Sequence, residues 1–480
     1  MNNLTQLEPK EVFRWFAEIS AIPRGSGNEQ AISDFLVRFA HERSLEVYQD
    51  GLLNVIIKKP GTLGYEKSPV VILQGHMDMV CEKTADSPHD FLKDPIQLIV
   101  EGDTLHADRT TLGGDDGIAV AYALAVLDSD SIAHPPLEVL ITTNEETGMD
   151  GAMALQPDHL GGKLLFNIDS EEEGVFLVSC AGGANALIGF TIETEPLKNS
   201  LLSVSVEGLL GGHSGMEIIK QRANALKLLG RILTAVQAGQ PVQLVSISGG
   251  SKHNAIAKEA AALISVADPA GAQQAVERIA AELKAEYRTA DPGLRVAVQP
   301  ASAASGVMYT EPLSRNIIDF MMMVPDGVQY MSMDIPGLVQ TSLNNGILAV
   351  DGDTLTFTIS VRSSVKSSLD EILTVLQRCA ERTGGIFKKR SEYPAWEYAP
   401  QSRAREIAVQ TYKELNGTEP VITAIHAGLE CGLIKKIIPD MDAVSFGPNL
   451  YDVHTPNEHL SISSVERMWK FTVKLLENLR

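Results

Sequence analysis

The sequence predicts an α/β fold: a main domain with a mostly parallel sheet flanked by helices, interrupted by an inserted α+β domain. Three observations carry this. Short apolar, β-rich runs alternate with helical patterns through the first third of the chain, as strands of a sheet buried on both faces do. From about Gly189 the texture changes to alternating or β-branched runs separated by two long amphipathic stretches, the pattern of a sheet with helices on one face. After Ser391–Gln401, where aromatics, prolines and charges mix, the first texture returns. The chain has 480 residues, too many for one core at roughly 150 residues per domain. The expected domains are therefore 1–187 together with 394–480, and the insert 188–393.

Taken in order, Lys10 to Phe39 holds two helical stretches split by Pro23-Arg24-Gly25-Ser26-Gly27. Strand-like runs follow at Asn54–Lys58 and Pro69–Leu73, then a helix at Gly117–Leu127 and short strands at Leu137–Thr142 and Lys163–Ile168. In the insert, Phe190–Glu193, Leu202–Glu207, Gln243–Ser248, Ala261–Val266 and Leu355–Val361 read as strands. Ala223–Ala238 and Ala270–Tyr287 read as helices. The last segment supplies a helix (Arg403–Leu415), a strand (Ala443–Phe446) and a closing helix (Ser464–Leu479).

Composition excludes several classes. Sixty-one acidic against 40 basic residues give a net charge of −21, and no basic stripe with interleaved aromatics is present, so nucleic-acid binding is not expected. Glu8 and Glu11 stand where a secretory signal would be positive. No apolar run reaches the ~18 residues of a membrane span, so the expected location is the cytoplasm, with no membrane partner. Cys81, Cys180, Cys379 and Cys431 are widely spaced, which argues for reduced, mostly buried thiols rather than a disulfide framework or zinc ribbon.

The chemistry lies where His, Asp or Glu follows an apolar strand, because ligands collect at the carboxyl edge of a parallel sheet. In Val70-Val71-Ile72-Leu73-Gln74-Gly75-His76-Met77-Asp78, His76 and Asp78 at i and i+2 face one side if the strand persists. Asp78 is then placed to take the second imidazole N–H of a metal-bound His76; a capped turn is the plainer alternative. In Leu112-Gly113-Gly114-Asp115-Asp116-Gly117, one aspartate is expected to cap the following helix and the other to be free for a metal.

Leu137–Thr143 ends in Asn144-Glu145-Glu146-Thr147-Gly148. Paired glutamates after a buried strand are costly unless a cation compensates them. One can ligate and the other serve as general base, and the residues alone do not say which. Asp169 follows Leu164-Leu165-Phe166-Asn167-Ile168, and His454 lies in the Gly/Pro-rich run Gly447–Glu458. Two imidazoles with several carboxylates and no thiolate form the mixed N/O set that suits zinc. The surplus of ligands indicates two metals with a carboxylate bridge, roughly 3.5–4 Å apart.

The stretches GHMDMV, LGGDDG, TNEETGMDGA, FNIDSEE and HTPNE, in this order, resemble the two-zinc metallopeptidases that include carboxypeptidases, aminotripeptidases and carnosinases. Within that family the resemblance is nearest to the aminoacyl-histidine dipeptidases and spans essentially the whole chain. It implies a zinc-exopeptidase-like catalytic domain in 1–187 and 394–480, with 188–393 as a lid and dimerisation domain. It implies two Zn2+ per chain, with Mn2+ or Co2+ as substitutes that N/O sites also accept. His76, Asp115 and Asp169 would hold one metal; Asp115, Glu146 and His454 the other, with Asp115 bridging. Asp78 would orient His76, and Glu145 would be the general base.

In the insert, the resemblance points to His213 in Gly211-Gly212-His213-Ser214-Gly215 as an oxyanion donor. It points to Asn254 and Arg362 as grips on a substrate carboxylate, and to Gly428 as a backbone contact. The glycine-rich loop lacks the spacing of a phosphate-binding P-loop, while a planar guanidinium suits a carboxylate. The implied activity is hydrolysis of dipeptides of the Xaa-His kind, including β-Ala-His, by a homodimer acting on small peptides. The competing expectations are an aminotripeptidase, an N-acyl amino acid amidohydrolase, and a metal-free binding or scaffold protein that keeps the fold.

Overall fold

The computed structural model describes residues 3–303 and 306–480, and the chain divides into two compact units. The first comprises the chain up to Ser179 with Tyr398–Ala424 and Leu429–Arg480; the second is Cys180–Glu397 with Ile425–Gly428. The passage falls at Ser179–Cys180 rather than at 187–188, because Gly182–Thr191 is one continuous strand of the second unit's sheet. The return falls at Glu397–Tyr398 rather than at 393–394, and the short segment Ile425–Gly428 groups with the second unit.

The first unit is built on an eight-stranded sheet in the order Glu46–Gln49, Val55–Lys59, Leu137–Thr142, Val71–His76, Leu164–Asn167, Asp442–Ser445, Val175–Cys180, Val421–Ile425. Its centre is parallel: Val71–His76 pairs with Leu137–Thr142 and Leu164–Asn167, and the latter with Asp442–Ser445. Antiparallel pairs flank this centre. Every residue of the Val71, Leu137 and Leu164 strands is buried, which is why they read as unbroken apolar runs without a period of two. The helix Gly114–Asp128 packs on this sheet and against the helix Lys10–Ser20, and it too is buried on nearly all sides.

A second, four-stranded sheet of this unit was not legible in the sequence. It joins Leu450–Tyr451, His459–Ser461, Thr104–Ala107 and Leu98–Glu101. The first two strands form an antiparallel pair with Leu450 opposite Leu460 and Tyr451 opposite His459, so residues 452–458 make a closed loop that carries His454. Such two- and four-residue strands are too short to show a hydrophobic period.

The second unit holds a nine-stranded, antiparallel sheet, with Val339–Asp351 and Thr354–Ser363 as its long central hairpin. Helices Ala225–Gln237 and Pro269–Glu286 lie close to the expected positions and are capped by the side chains of Asn224 and Asp268. Helices Glu311–Met323 and Lys366–Arg382 were not anticipated. Among the described residues no disulfide joins the four cysteines; Cys81 is exposed, and Cys180, Cys379 and Cys431 are buried. Among the described residues, no helix is long and apolar enough to cross a membrane.

Candidate metal centre

Three neighbouring strands of the first unit's parallel core end side by side, with His76 opposite Thr142 and Gln74 opposite Asn167. Each strand runs into one of the predicted acidic turns, and the helix Gly114–Asp128 adds a fourth. His76 Nε2 stands 3.1 Å from Asp115 Oδ1 and 3.7 Å from Asp169 Oδ1. The other Asp115 oxygen, Oδ2, lies 3.1 Å from His454 Nε2, which is 2.9 Å from Glu146 Oε2. Asp115 thus spans two histidines, with Asp169 beside the first and Glu146 beside the second. Glu146, not Glu145, is the glutamate that touches His454.

The donor atoms fit divalent cations. His76 with Glu145 and Glu146, and Asp115 with Glu146 and His454, each offer ligand atoms within 4.8 Å of one another, as do His76, Asp116 and Asp169. The charge balance points the same way. Burial, reinforced by neighbouring carboxylates, pushes Glu145 well above the usual range, and burial raises Asp116 and Asp169 as well. Burial opposes charge on His76, yet its contacts with Asp115, Asp169 and Asp78 raise it well above an ordinary imidazole. Hydrogen bonds to Asp115 and Glu146 push His454 up to about 11. A cluster that draws in protons so strongly is one that positive metal ions would compensate.

The turn before the helix departs from the expected cap. Neither aspartate caps it: Asp115 and Asp116 are non-helical, and no side-chain cap is made. Asp116 instead accepts the backbone N–H of His76 at 3.1 Å, which ties the two ligand turns together. The free backbone amides of residues 112–115 are taken by the carboxylate of Glu458. Asp78 lies 3.3 Å from His76 Nδ1, although this nitrogen has no well-aligned hydrogen bond. The Asp78 carboxylate also accepts from Ser26 Oγ and from the backbone N–H groups of Glu145 and Glu146, so it fixes the glutamate turn as well as facing the histidine.

Glu430 is a further buried carboxyl that the sequence did not single out. Its Oε2 accepts from Gln74 Nε2 and Thr142 Oγ1, both at 2.6 Å, while Oε1 has no partner. Burial pushes it up to about 8 from 4.5. The folded protein therefore keeps a proton that the unfolded chain releases near pH 4.5, so this group's stabilisation is full below that pH and is lost as pH rises toward 8. In chelator-treated protein, Glu430→Gln should remove this part of the pH dependence, on the order of 4 kcal/mol between pH 4.5 and 8. Denaturant titrations across that range check it; identical profiles for parent and variant would assign the shift wrongly.

The remaining predicted residues lie in the second unit. His213 Nδ1 accepts from the N–H groups of Gly215 and Met216, each at 3.2 Å, which leaves Nε2 as the protonated donor of a neutral ring. Burial and then the charge of Arg362 keep its pKa below the ordinary value. Asn254 is joined to this loop through its carbonyl, which accepts from Ser214 N at 2.9 Å. Arg362, on the strand Thr354–Ser363, donates to Tyr393 Oη at 3.2 Å, and its Nε is buried without a partner. Gly428 follows His426, an unanticipated buried histidine whose Nε2 meets Ser342 Oγ at 2.7 Å. Burial, then Arg362, pushes His426 down to about 3.

Comparison with known proteins identifies the family. The profile of peptidase family M20/M25/M40 matches residues 72–478. The chain is 37% identical over 484 residues to the cytosol non-specific dipeptidase of Escherichia coli (strain K12), covering 100% of this chain and 99% of that one. The crystal structure of aminoacylhistidine dipeptidase from Vibrio alginolyticus matches with a TM-score of 0.93 at 36% identity, covering 99% of this chain and 98% of that chain. The aminopeptidase PepT of Bacillus cereus shares the fold, with a TM-score of 0.58 at 15% identity over 98% and 99% of the two chains. On these matches the chain belongs to peptidase family M20/M25/M40 and is a metallopeptidase.

Proposed function

We propose that this enzyme is a cytoplasmic, dinuclear-zinc dipeptidase that cleaves Xaa-His dipeptides, β-Ala-His among them. The observation that carries the reading is the Asp115 carboxylate, one oxygen facing His76 and the other His454. His76, Asp115 and Asp169 would hold one metal, and Asp115, Glu146 and His454 the other. When bound, the metal pair supplies Lewis acidity and an acidified water at neutral pH. Glu145, free of His454 and raised by burial, takes the proton of the attacking water and passes it to the leaving amine. Asp78 orients His76 and the Glu145–Glu146 turn.

In the second unit, which acts as the lid and dimerisation domain, Arg362 and Asn254 bind the substrate's terminal carboxylate. A neutral His213 donates from Nε2 to the oxyanion, and Gly428 offers a backbone contact. The enzyme works as a homodimer. Preference for histidine is supported by the likeness to the Vibrio alginolyticus aminoacylhistidine dipeptidase, whereas the Escherichia coli relative carries the name of a non-specific dipeptidase.

The test is a panel of β-Ala-His, other Xaa-His dipeptides, Ala-Ala, tripeptides and N-acetyl amino acids, run on protein of measured metal content. The proposal expects zinc at two per chain and the highest kcat/KM on Xaa-His. Equal rates on all dipeptides would replace the histidine preference by general dipeptidase activity. Turnover confined to N-acetyl amino acids, or a folded protein that takes up no metal, would remove the proposal.

A further inference from the structure

Among the described residues Arg24 is the only arginine or lysine that is buried, at 2% exposure. It sits in the turn between the helices Lys10–Ser20 and Gln30–Glu42 and makes no hydrogen bond to a carboxylate. Instead Nη1 donates to the carbonyls of Met77 (3.0 Å) and Asp78 (3.1 Å), and Nη2 to the carbonyl of Gly113 (2.5 Å). One guanidinium thus holds the turn after His76 to the turn before Asp115. Glu458, also 2% exposed, completes the grip from the opposite side. Its Oε2 accepts from Leu112 N (2.7 Å) and Gly113 N (3.0 Å), and its Oε1 from Gly114 N (2.7 Å) and Asp115 N (3.3 Å). Glu458 closes the loop that carries His454. The Gly113 residue is therefore held by its carbonyl from Arg24 and by its N–H from Glu458.

We infer that Arg24 and Glu458 are positioning residues, a two-sided clamp that sets the bridging Asp115 between the His76 and His454 loops and so preorganises the metal pair. The inference rests on the proposed dinuclear reading of the site. It also accounts for two glycines of the Leu112–Gly117 motif. A Cβ on Gly113, which has φ +68°, or on Gly117 would lie 2.5 Å from Arg24 Nη2. The motif is glycine there because the guanidinium occupies the space. A bland structural role for Arg24 is the competing view. It predicts loss of stability in its absence without any specific effect on the metals.

Hydrogen bonding of this kind around a metal ligand typically tunes affinity by 10–100-fold. The test uses full-length, chelator-treated protein and titrates zinc and cobalt by calorimetry, with the visible spectrum of the cobalt form as a second readout. Arg24→Met, Glu458→Gln and Gly117→Ala should each weaken binding by roughly 10–100-fold and alter the cobalt spectrum, with Arg24→Lys recovering part of the loss. Gly117→Ala is the discriminating variant, because alanine otherwise favours a helix and keeps both clamp residues in the chain while its Cβ displaces the Arg24 guanidinium. In the metal-free parent, the amides of residues 112–115 should exchange slowly, since the clamp needs no metal to form.

Folded variants that bind both metals as tightly as the parent, with unchanged cobalt spectra, would overturn the clamp. If the substitutions prevent folding, fast exchange of those amides in the metal-free parent overturns it just as directly. A parent that binds no metal would instead sink the dinuclear reading, so the two failures are distinguishable.

Discussion

Glu145→Gln is expected to retain two metals per chain while losing roughly 10²–10⁴-fold in kcat, the usual worth of a positioned general base. Glu145 stands at the end of the Leu137–Thr142 strand with its backbone N–H anchored on Asp78, so an amide at this position keeps the turn and removes only the proton acceptor. His454 pairs with Glu146 and Asp115 and not with Glu145, so the ligand set is expected to survive. The substitution also removes a carboxyl that burial disfavours in its charged form, which predicts a metal-free protein at least as stable as the parent. Metal analysis, steady-state kinetics and thermal unfolding read the three parts separately. Near-parental kcat would strip Glu145 of its role; loss of one metal would make it a ligand instead.

Asp115→Ala should have the larger effect on the metals, because one side chain serves both histidines. Both ions are expected to bind more weakly than the 10–100-fold typical of losing an outer partner, and turnover should fall with them. Saturating metal stabilises a folded protein by about 2.7 kcal/mol at a hundredfold excess over Kd, and the variant should lose most of that gain at the same concentration. An equivalent substitution of Asp169, whose histidine neighbour is His76, should compromise one ion and leave the other. If Asp115→Ala and Asp169→Ala had the same metal stoichiometry and the same thermal shift, Asp115 would not bridge.

Much of the fold was legible because its signals are short in range. Leu137–Thr142 was read with the boundaries it has, since six buried β-rich residues run between turn residues. The helices Pro269–Glu286 and Ile462–Asn478 lie within a residue or two of their expected spans, as helix ends usually do. The strands of the small sheet beside His454 were not read, and neither was the helix Lys366–Arg382. The former are too short to carry a period. The latter has a clear polar and apolar face but follows the long strand Thr354–Ser363 after only Ser364 and Val365, a gap that a boundary read from composition does not resolve.

Of the site, the sequence by itself determined which residue types stand at the ends of buried strands: His76, Glu145, Glu146 and Asp169, with Asp115 in a glycine turn and His454 in a loop. That follows from local order, because a strand's apolar run and its terminal side chain are neighbours along the chain. Of the partners, the residues by themselves left the choice between Glu145 and Glu146 open, and only the resemblance assigned it. Tertiary structure set Glu146 beside His454 and turned Asp116 onto the His76 amide. It brought Glu458 onto amides about 345 residues away and placed Arg24 among carbonyls from two other turns. Those contacts join segments with no sequence relation, and a buried arginine or glutamate leaves no periodic trace. Only the folded backbone brings such groups within hydrogen-bond distance.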